Sequence, residues 1–337
     1  MKIAIDAMGG DHAPTEIIKG VLEAANLLDT DDDLILIGDQ ETIKSQLSSL
    51  GAAPDVVTIV HAPEVIGMNE APVESLRKKR KSSIAIMAKM ASHKQTDAVI
   101  SAGNTGASVV GCQLRMRNLE GVLRPGIAVV LPLLGGPVTM CDVGANIACK
   151  PVNLYQYAVM ASVYSKEVLG IDSPRVGLMS IGAEDAKGNE LVKKTRELIK
   201  SDEQLNFIGN LEGRDIFDGA CDVAICEGFV GNVLLKLTEG LAAMLFKAIG
   251  HELKAESEKL AMQFKPVITQ IYKKYDYHEY GGALLLGING TAVICHGAST
   301  SRTIKNAILA AKKFYMKKIN AQIVEHLSNA LVRTNGG

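Results

Sequence analysis

The sequence predicts an α/β protein built on a mostly parallel sheet with helices on both faces. Short aliphatic segments alternate with helix-length segments along most of the 337 residues, which is typical of β-α-β units. Hydrophobic residues make up 47% of the chain and aromatic residues only 4%. Aliphatic composition of this kind is typical of parallel sheets that are buried on both faces.

Ten segments are short and aliphatic enough to be strands. They are residues 2–6, 34–38, 56–60, 98–100, 127–131, 138–141, 175–179, 206–209, 223–226 and 291–294. The fifth and sixth are separated by a short stretch that contains Gly135 and Gly136, which predicts an antiparallel hairpin. The sheet is therefore predicted to be mixed.

Residues 230–280 contain no strand-like segment and are rich in Leu, Met, Ala, Lys and Glu. They predict two long helices that meet near residues 259–266 and project from the α/β body. No linker rich in Pro, Gly and Ser divides the chain, so residues 1–337 are predicted to form a single α/β/α domain.

The composition also limits the classes of function. A net charge of −1 gives no general attraction to nucleic acid. The six cysteines show no spacing typical of metal sites and are predicted to be reduced thiols. No signal peptide and no apolar run of about 20 residues is evident, which predicts a cytoplasmic protein able at most to touch a membrane. We expect neither a metal nor another cofactor.

The first predicted strand leads into a turn that can bind an anion. Gly9 and Gly10 permit backbone conformations closed to other residues, Asp11 and His12 follow, and Pro14 suits the first turn of a helix. The N–H groups at such a helix start attract anions. The alternative is a tight turn with a capping aspartate.

A second candidate anion loop, residues 101–106, follows the strand at 98–100. Ser101, Asn104 and Thr105 offer donors, while Gly103 lets the backbone close around an anion. The glycine spacing fits neither a Walker loop nor a dinucleotide fingerprint. The alternative is a helix cap made by serine or asparagine.

Two asparagines follow other strands in the same way. Asn146 and Asn232 each have a side-chain amide that can donate to a carbonyl or phosphate oxygen. Ligands of open α/β sheets bind at the carboxyl ends of strands, so both are candidate site residues. The alternative is that they only form turns.

The opening string Asp6-Ala-Met-Gly-Gly-Asp-His-Ala-Pro14 resembles the bacterial phosphate acyltransferase family, the acyl-carrier-protein:phosphate transacylases of phospholipid synthesis. The resemblance continues in order through residues 101–107, 141–146, 188–190, 227–232, 280–283 and 296–297. One departure is Glu227, where the family usually has aspartate.

The resemblance implies a Rossmann-like α/β/α sandwich similar to phosphotransacetylase and isopropylmalate-dehydrogenase-like folds. It also implies a homodimer and a reaction in which phosphate attacks an acyl thioester directly, without an enzyme nucleophile. By this resemblance the glycine loops would bind phosphate, and Asn146 and Asn232 would bind the carbonyl oxygen of the thioester. His12 or His296 would protonate the leaving sulfur. His296 and Ser299 are candidates because residues 284–299 look similar to an active-site stretch of phosphotransacetylases.

Two surfaces are predicted to meet partners. One is a run of five consecutive basic residues: Arg77, Lys78, Lys79, Arg80 and Lys81. The run suits docking of the acidic acyl carrier protein, and the alternative is a solvated helix face. The other consists of Leu260, Met262 and Phe264, between Lys259 and Lys265, which suit contact with a membrane or with a second subunit. The membrane is where the acceptor of an acyl phosphate, a glycerol-3-phosphate acyltransferase, is expected.

Two other functions remain open, and a third is disfavoured. A phosphotransacetylase acting on short acyl-CoA would share the chemistry. A non-catalytic scaffold for acyl carrier protein would not need the anion loops. A decarboxylating dehydrogenase is disfavoured, since the sequence has no nicotinamide fingerprint and no carboxylate cluster for a metal.

Overall fold

The computed structural model describes residues 1–53, 55–275 and 280–335. Its strands are β1 (Lys2–Asp6), β2 (Asp33–Gly38), β3 (Thr58–His61), β4 (Ala98–Ser101), β5 (Gly126–Leu133), β6 (Gly136–Cys141), β7 (Arg175–Met179), β8 (Asn206–Leu211), β9 (Val223–Ile225), β10 (Ala283–Leu286) and β11 (Thr291–Ile294). They form one sheet in the order β3-β2-β1-β4-β11-β10-β5-β6-β9-β7-β8.

Helices cover both faces of this sheet. They are α1 (Thr15–Ala25), α2 (Gln40–Ser49), α3 (Pro72–Lys78), α4 (Ser83–Ser92), α5 (Thr105–Met116), α6 (Pro151–Glu167), α7 (Glu190–Lys200), α8 (Gly228–Glu256), α9 (Glu258–Lys274), α10 (Ser301–Met316) and α11 (Ile319–Asn335). Alternate residues of β1 enter different cores, because Ile3 and Ile5 pack on one face and Ala4 on the other. The predicted α/β sandwich is confirmed.

The ten predicted strands all appear, with ends shifted by up to two residues, and β5 and β6 form the predicted antiparallel hairpin. Strand β10 was not predicted. It is only four residues long, lies between Gly282 and Gly287, and was included in a loop-like stretch. It pairs antiparallel with both β11 and β5, so those two strands run in the same direction, and the β5–β6 hairpin is the point at which the sheet changes direction.

The sheet consists of two parallel groups that run in opposite directions. Strands β1 to β4 and β11 form one group, and β6 to β9 form the other. Three successive antiparallel pairings, through β10 and β5, separate them. The register across β10 and β5 places Cys141, the last residue of β6, level with Val293 near the end of β11. The loops after β4 and after β6 therefore both leave near the middle of the sheet, and each follows the carboxyl end of its strand as expected.

The two predicted helices are α8 and α9, but they meet at Ser257 rather than at residues 259–266. The Ser257 hydroxyl accepts a hydrogen bond from the Leu260 N–H and so caps α9, while Pro266 lies inside that helix. Leu260 is half-buried, and Met262 and Phe264 are exposed in the first turns after the tip.

Helix α8 is also more apolar than expected. By length and composition alone its 29 residues could cross a membrane, with a mean hydropathy of 1.4 over the relevant window. This is weak evidence for a span, because α8 begins inside the α/β body. Glu227 caps it there by accepting from the Phe229 and Val230 N–H groups, so the longer carboxylate at this position retains a capping role.

Candidate active site

The loops that follow β1, β4 and β11 meet because these three strands are neighbours in the sheet. The Asp11 N–H donates to the Gly297 carbonyl at 2.7 Å, which joins the first loop to the third. A Cβ placed on Gly9 would lie only 2.6 Å from the Gly103 nitrogen, so the first two loops touch through backbone. Gly10 has a φ of +111°, which glycine tolerates best.

The Asp6 carboxylate lies buried beneath these loops and takes up several of their donors. The Ser101 hydroxyl donates to it at 2.8 Å and the Met8 N–H at 3.1 Å. The Gly103 N–H donates in turn to the Ser101 oxygen at 3.0 Å. Burial raises the pKa of Asp6. The Ser101 hydroxyl and the Gly103 N–H are thus already engaged, which argues against their assignment to phosphate.

Asn104 acts as a cap and a tether. Its side-chain oxygen accepts from the Ala107 N–H at 2.9 Å, at the start of α5. Its amide nitrogen donates to the carbonyl oxygens of Gly67, Met68 and Glu70 at 2.9–3.1 Å. The capping alternative therefore describes Asn104 better than a phosphate contact, and the residue fixes the segment that leads into α3.

The side-chain amide of Asn146 also has hydrogen-bond partners within the protein. Its amide nitrogen donates to the Pro125 carbonyl at 2.7 Å and to the Tyr157 hydroxyl at 2.9 Å. The nearby Asp142 carboxylate is buried and accepts from four backbone N–H groups, those of Ile127, Gly144, Ala145 and Asn146. Burial raises the pKa of Asp142. Together these groups shape the loop after β6 and leave Asn146 no evident donor for substrate.

A cavity of about 130 Å³ lies between the start of α5, helix α8 and the end of β11. We call it the reaction cavity. Its polar lining comes from Thr105, Asn232, Lys236, Glu239 and His296. Helix α8 begins just after β9, whose last residue Ile225 pairs with Cys141, and the register through β5 and β10 places this point level with the end of β11. Asn232, in the first turns of α8, therefore lines the same cavity as Thr105 and His296.

Lys236 and Glu239 are site residues that the motif analysis missed. The Lys236 ammonium pairs with one Glu239 oxygen at 2.8 Å, and the other oxygen is buried with no hydrogen-bond partner among the described residues. They are the only charged residues between positions 228 and 246. A spacing of three places both on one face of the helix, and this was the available signal.

The two candidate proton donors lie in different surroundings. His296 lines the reaction cavity, and its Nδ1 accepts from the Ala298 N–H at 3.3 Å. His12 is exposed, and its backbone carbonyl accepts from the Glu16 N–H at 3.1 Å, at the start of α1. Ser299 is buried, and its hydroxyl has no hydrogen-bond partner among the described residues. The geometry thus favours His296 over His12.

The cysteines offer poor nucleophiles. All six thiols are free, and five of them are buried. Burial raises the pKa of every one, to about 12 for Cys112, Cys221 and Cys295. Because the thiolate is the reactive form, protonated thiols of this kind are inert. The cysteines therefore give no support to an acyl-enzyme.

Comparisons with known proteins agree with the motif resemblance. A sequence model of the family described as "Fatty acid synthesis protein" matches residues 1–322. A phosphate acyltransferase from Desulforamulus reducens is 46% identical over 330 residues, which cover 98% of each chain. One from Dictyoglomus turgidum is 42% identical over 331 residues, with 97% of this chain and 98% of the relative covered.

The fold has solved counterparts. A phosphotransacetylase from Streptococcus pyogenes superposes with a TM-score of 0.63 at 17% identity, and one from Staphylococcus aureus with 0.61 at 16%. Each match covers 94% of both chains. Structural similarity at this sequence identity establishes the shared fold only, while the full-length sequence matches establish homology. The chain therefore belongs to the fatty acid synthesis protein family and is a homologue of the phosphate acyltransferases.

Proposed function

We propose that the protein transfers an acyl group from the thioester of acyl carrier protein to inorganic phosphate, giving acyl phosphate and the free carrier thiol. The observation that carries this is the reaction cavity, which places Lys236, His296 and the N-terminus of α5 around one small space. An ammonium and a helix N-terminus both attract an anion, and phosphate is a small one. The names of the full-length relatives support the same reaction.

In this mechanism phosphate binds between the Lys236 ammonium and the start of α5, where Thr105 is the first residue. One phosphate oxygen attacks the thioester carbon, and the carbonyl oxygen becomes an oxyanion that the Asn232 amide can stabilise. The C–S bond then breaks, the Nε2–H of His296 donates a hydrogen bond to the departing sulfur, and the proton of the attacking hydrogen phosphate ends on that sulfur. Glu239 holds Lys236 in place through their ion pair. No bond to the enzyme forms at any stage.

The donor is tested by supplying the same acyl group on acyl carrier protein and on coenzyme A, with hydroxylamine trapping of the acyl phosphate formed. We expect the higher kcat/KM with the carrier protein. Preference for short acyl-CoA would favour the phosphotransacetylase alternative. No acyl phosphate from either donor would favour a scaffold.

The basic run does not form a single helix face. Arg77 and Lys78 end α3, and the remaining three residues form the turn before α4. Lys78 pairs with Glu74 at 2.6 Å, and Lys79 pairs with Glu70. The hydrogen bond from Lys79 to Glu70, with others from Gly67 and Ser75, lowers the pKa of Glu70 to about 2.

We propose that Arg77, Arg80 and Lys81, which are exposed, form the docking surface for acyl carrier protein. Asn104 ties the segment that precedes α3 to the start of α5, so a carrier bound here would be close to the reaction cavity. Lys79 instead holds this segment together through Glu70.

Reversing the charges of Arg77 and Arg80 to glutamate is expected to raise the KM for acyl carrier protein on the order of tenfold and to weaken the salt dependence of the rate. The physical reason is loss of long-range attraction to an acidic partner. Lys44→Glu with Lys193→Glu makes the same change in net charge on exposed residues elsewhere and should leave both quantities near the original values. If the two pairs of substitutions changed the KM and the salt dependence equally, Arg77 and Arg80 would not form the docking surface.

The helical hairpin exposes many large apolar side chains, and we propose that two partners cover them. On α8 they include Leu237, Leu241 and Leu245, which would pack against a second copy in a homodimer. Close to the tip, Met262 is 68% exposed, which suits peripheral contact with the inner face of the cell membrane. A membrane glycerol-3-phosphate acyltransferase could then receive the acyl phosphate there.

Met262→Glu is expected to weaken binding to anionic liposomes by about tenfold or more without dissociating the dimer, because it replaces an apolar contact with a charge. Gln263→Glu adds the same charge at the neighbouring exposed position and is the control. Liposome flotation and light scattering measure the two properties. Conversion to monomer, or unchanged flotation, would contradict the membrane contact.

A further inference from the structure

A second cavity, of about 510 Å³, adjoins the reaction cavity, and we call it the α8 groove. The two share three lining residues, Leu235, Glu239 and His296. One wall of the groove is α8, from Leu235 to Phe246, and another is the end of β5, residues 131–133. The shared residues make the groove a continuation of the reaction cavity.

The wall of the groove formed by α8 and the end of β5 is largely apolar beyond this junction, while Thr238, Tyr275, Thr300 and Thr303 bring hydroxyl groups to the rest of the lining. Ala242, Ala243 and Phe246 line it on α8, facing Pro132 and Leu133 of β5. These side chains offer no hydrogen-bond donor or acceptor. A pantetheine arm carries amides that would lose their water here without replacement, which is costly. An alkyl chain has no hydrogen bonds to water to lose, and its transfer from water into an apolar groove is favourable.

The dimensions suit a long chain. Eleven residues separate Leu235 from Phe246, which corresponds to about 16 Å along a helix that rises 1.5 Å per residue. The two small side chains, Ala242 and Ala243, occur midway and leave room between α8 and β5. A larger residue at either position would close the groove at that point.

We infer that the α8 groove binds the alkyl chain of the acyl donor, with the thioester at His296 and the chain running along α8 towards Phe246. This inference rests on the proposed acyl transfer to phosphate and adds where the chain lies and which residues limit its length. Each methylene buried in such a groove strengthens binding by about fourfold. Residue size along α8 then sets the chain-length preference.

The test uses the purified full chain and the variant Ala242→Phe, with Ala255→Phe as the control, the same substitution at an exposed position further along α8. The ratio of kcat/KM for hexadecanoyl over butyryl carrier protein is measured, and equilibrium binding of hexadecanoate is measured separately. Ala242→Phe should lower both by more than about tenfold, because the ring displaces several methylenes. Ala255→Phe should change neither.

Phe246→Ala provides a second variant that shortens a side chain instead of blocking the groove. It should also lower the ratio and hexadecanoate binding, since the far end of the chain loses a contact. If both variants keep the original ratio and binding, the groove does not hold the acyl chain, even though acyl phosphate still forms. If neither the original protein nor any variant forms acyl phosphate, the proposed function is wrong. Binding of hexadecanoate to the original protein and to the variants then decides whether the α8 groove holds an alkyl chain.

Discussion

Replacing Lys236 with methionine is expected to lower kcat/KM for phosphate by about 10²–10³, the usual loss when one preorganised charge stabiliser is removed. Methionine keeps the length and the apolar stem but removes the ammonium. The loss should appear mainly as a higher KM for phosphate and a lower kcat, with the KM for the acyl donor little changed. Steady-state kinetics with phosphate varied at saturating donor measures this.

Lys247→Met is the matched control, because Lys247 lies on the same helix, is exposed and lines neither cavity. It should retain normal phosphate kinetics. Comparable kinetics for Lys236→Met and Lys247→Met would mean that phosphate does not bind at Lys236.

Gly9→Ala is expected to reduce both stability and activity. The added Cβ would lie 2.6 Å from the Gly103 nitrogen, where only backbone movement can relieve the overlap. Overpacking of this kind costs about 1–3 kcal/mol of unfolding free energy. Displacement of the loop that precedes Thr105 by about 1 Å would lower the rate by roughly 10²-fold. Denaturant unfolding and kcat/KM measure the two effects.

The same substitution elsewhere should act in the opposite direction. Gly240 lies inside α8 and has open space where a Cβ would be, so Gly240→Ala should raise the unfolding free energy by about 0.5–1 kcal/mol. If Gly9→Ala were as stable and as active as Gly240→Ala, the close packing of the first two loops would not matter for function.

The predictions that succeeded rest on local patterns. Aliphatic runs such as residues 175–179 and 291–294 matched strands β7 and β11 residue for residue, because alternation with helices is visible in the chain itself. The glycine loops after β1 and β4 were both predicted to bind phosphate, and their contact through Gly9 and Gly103 follows from the neighbouring positions of the two strands.

The roles of individual polar residues could not be predicted in the same way. Ser101, Asn104 and Asn146 look like ligand-binding residues in sequence, but their partners are Asp6, the carbonyls near Gly67 and the Pro125 carbonyl, all distant along the chain. The insertion of β10 between β11 and β5 is also non-local, and no local pattern reveals it. The resulting register places the end of β9, where α8 begins, level with the end of β11, so Lys236 and His296 line one cavity.

The account is tested most directly by a crystal structure of the protein soaked with inorganic phosphate. It predicts phosphate in the reaction cavity, with an oxygen about 2.7–3.2 Å from the Lys236 ammonium and close to the start of α5. Phosphate bound instead at Gly9 and Gly10, with the reaction cavity holding none, would contradict the proposed site.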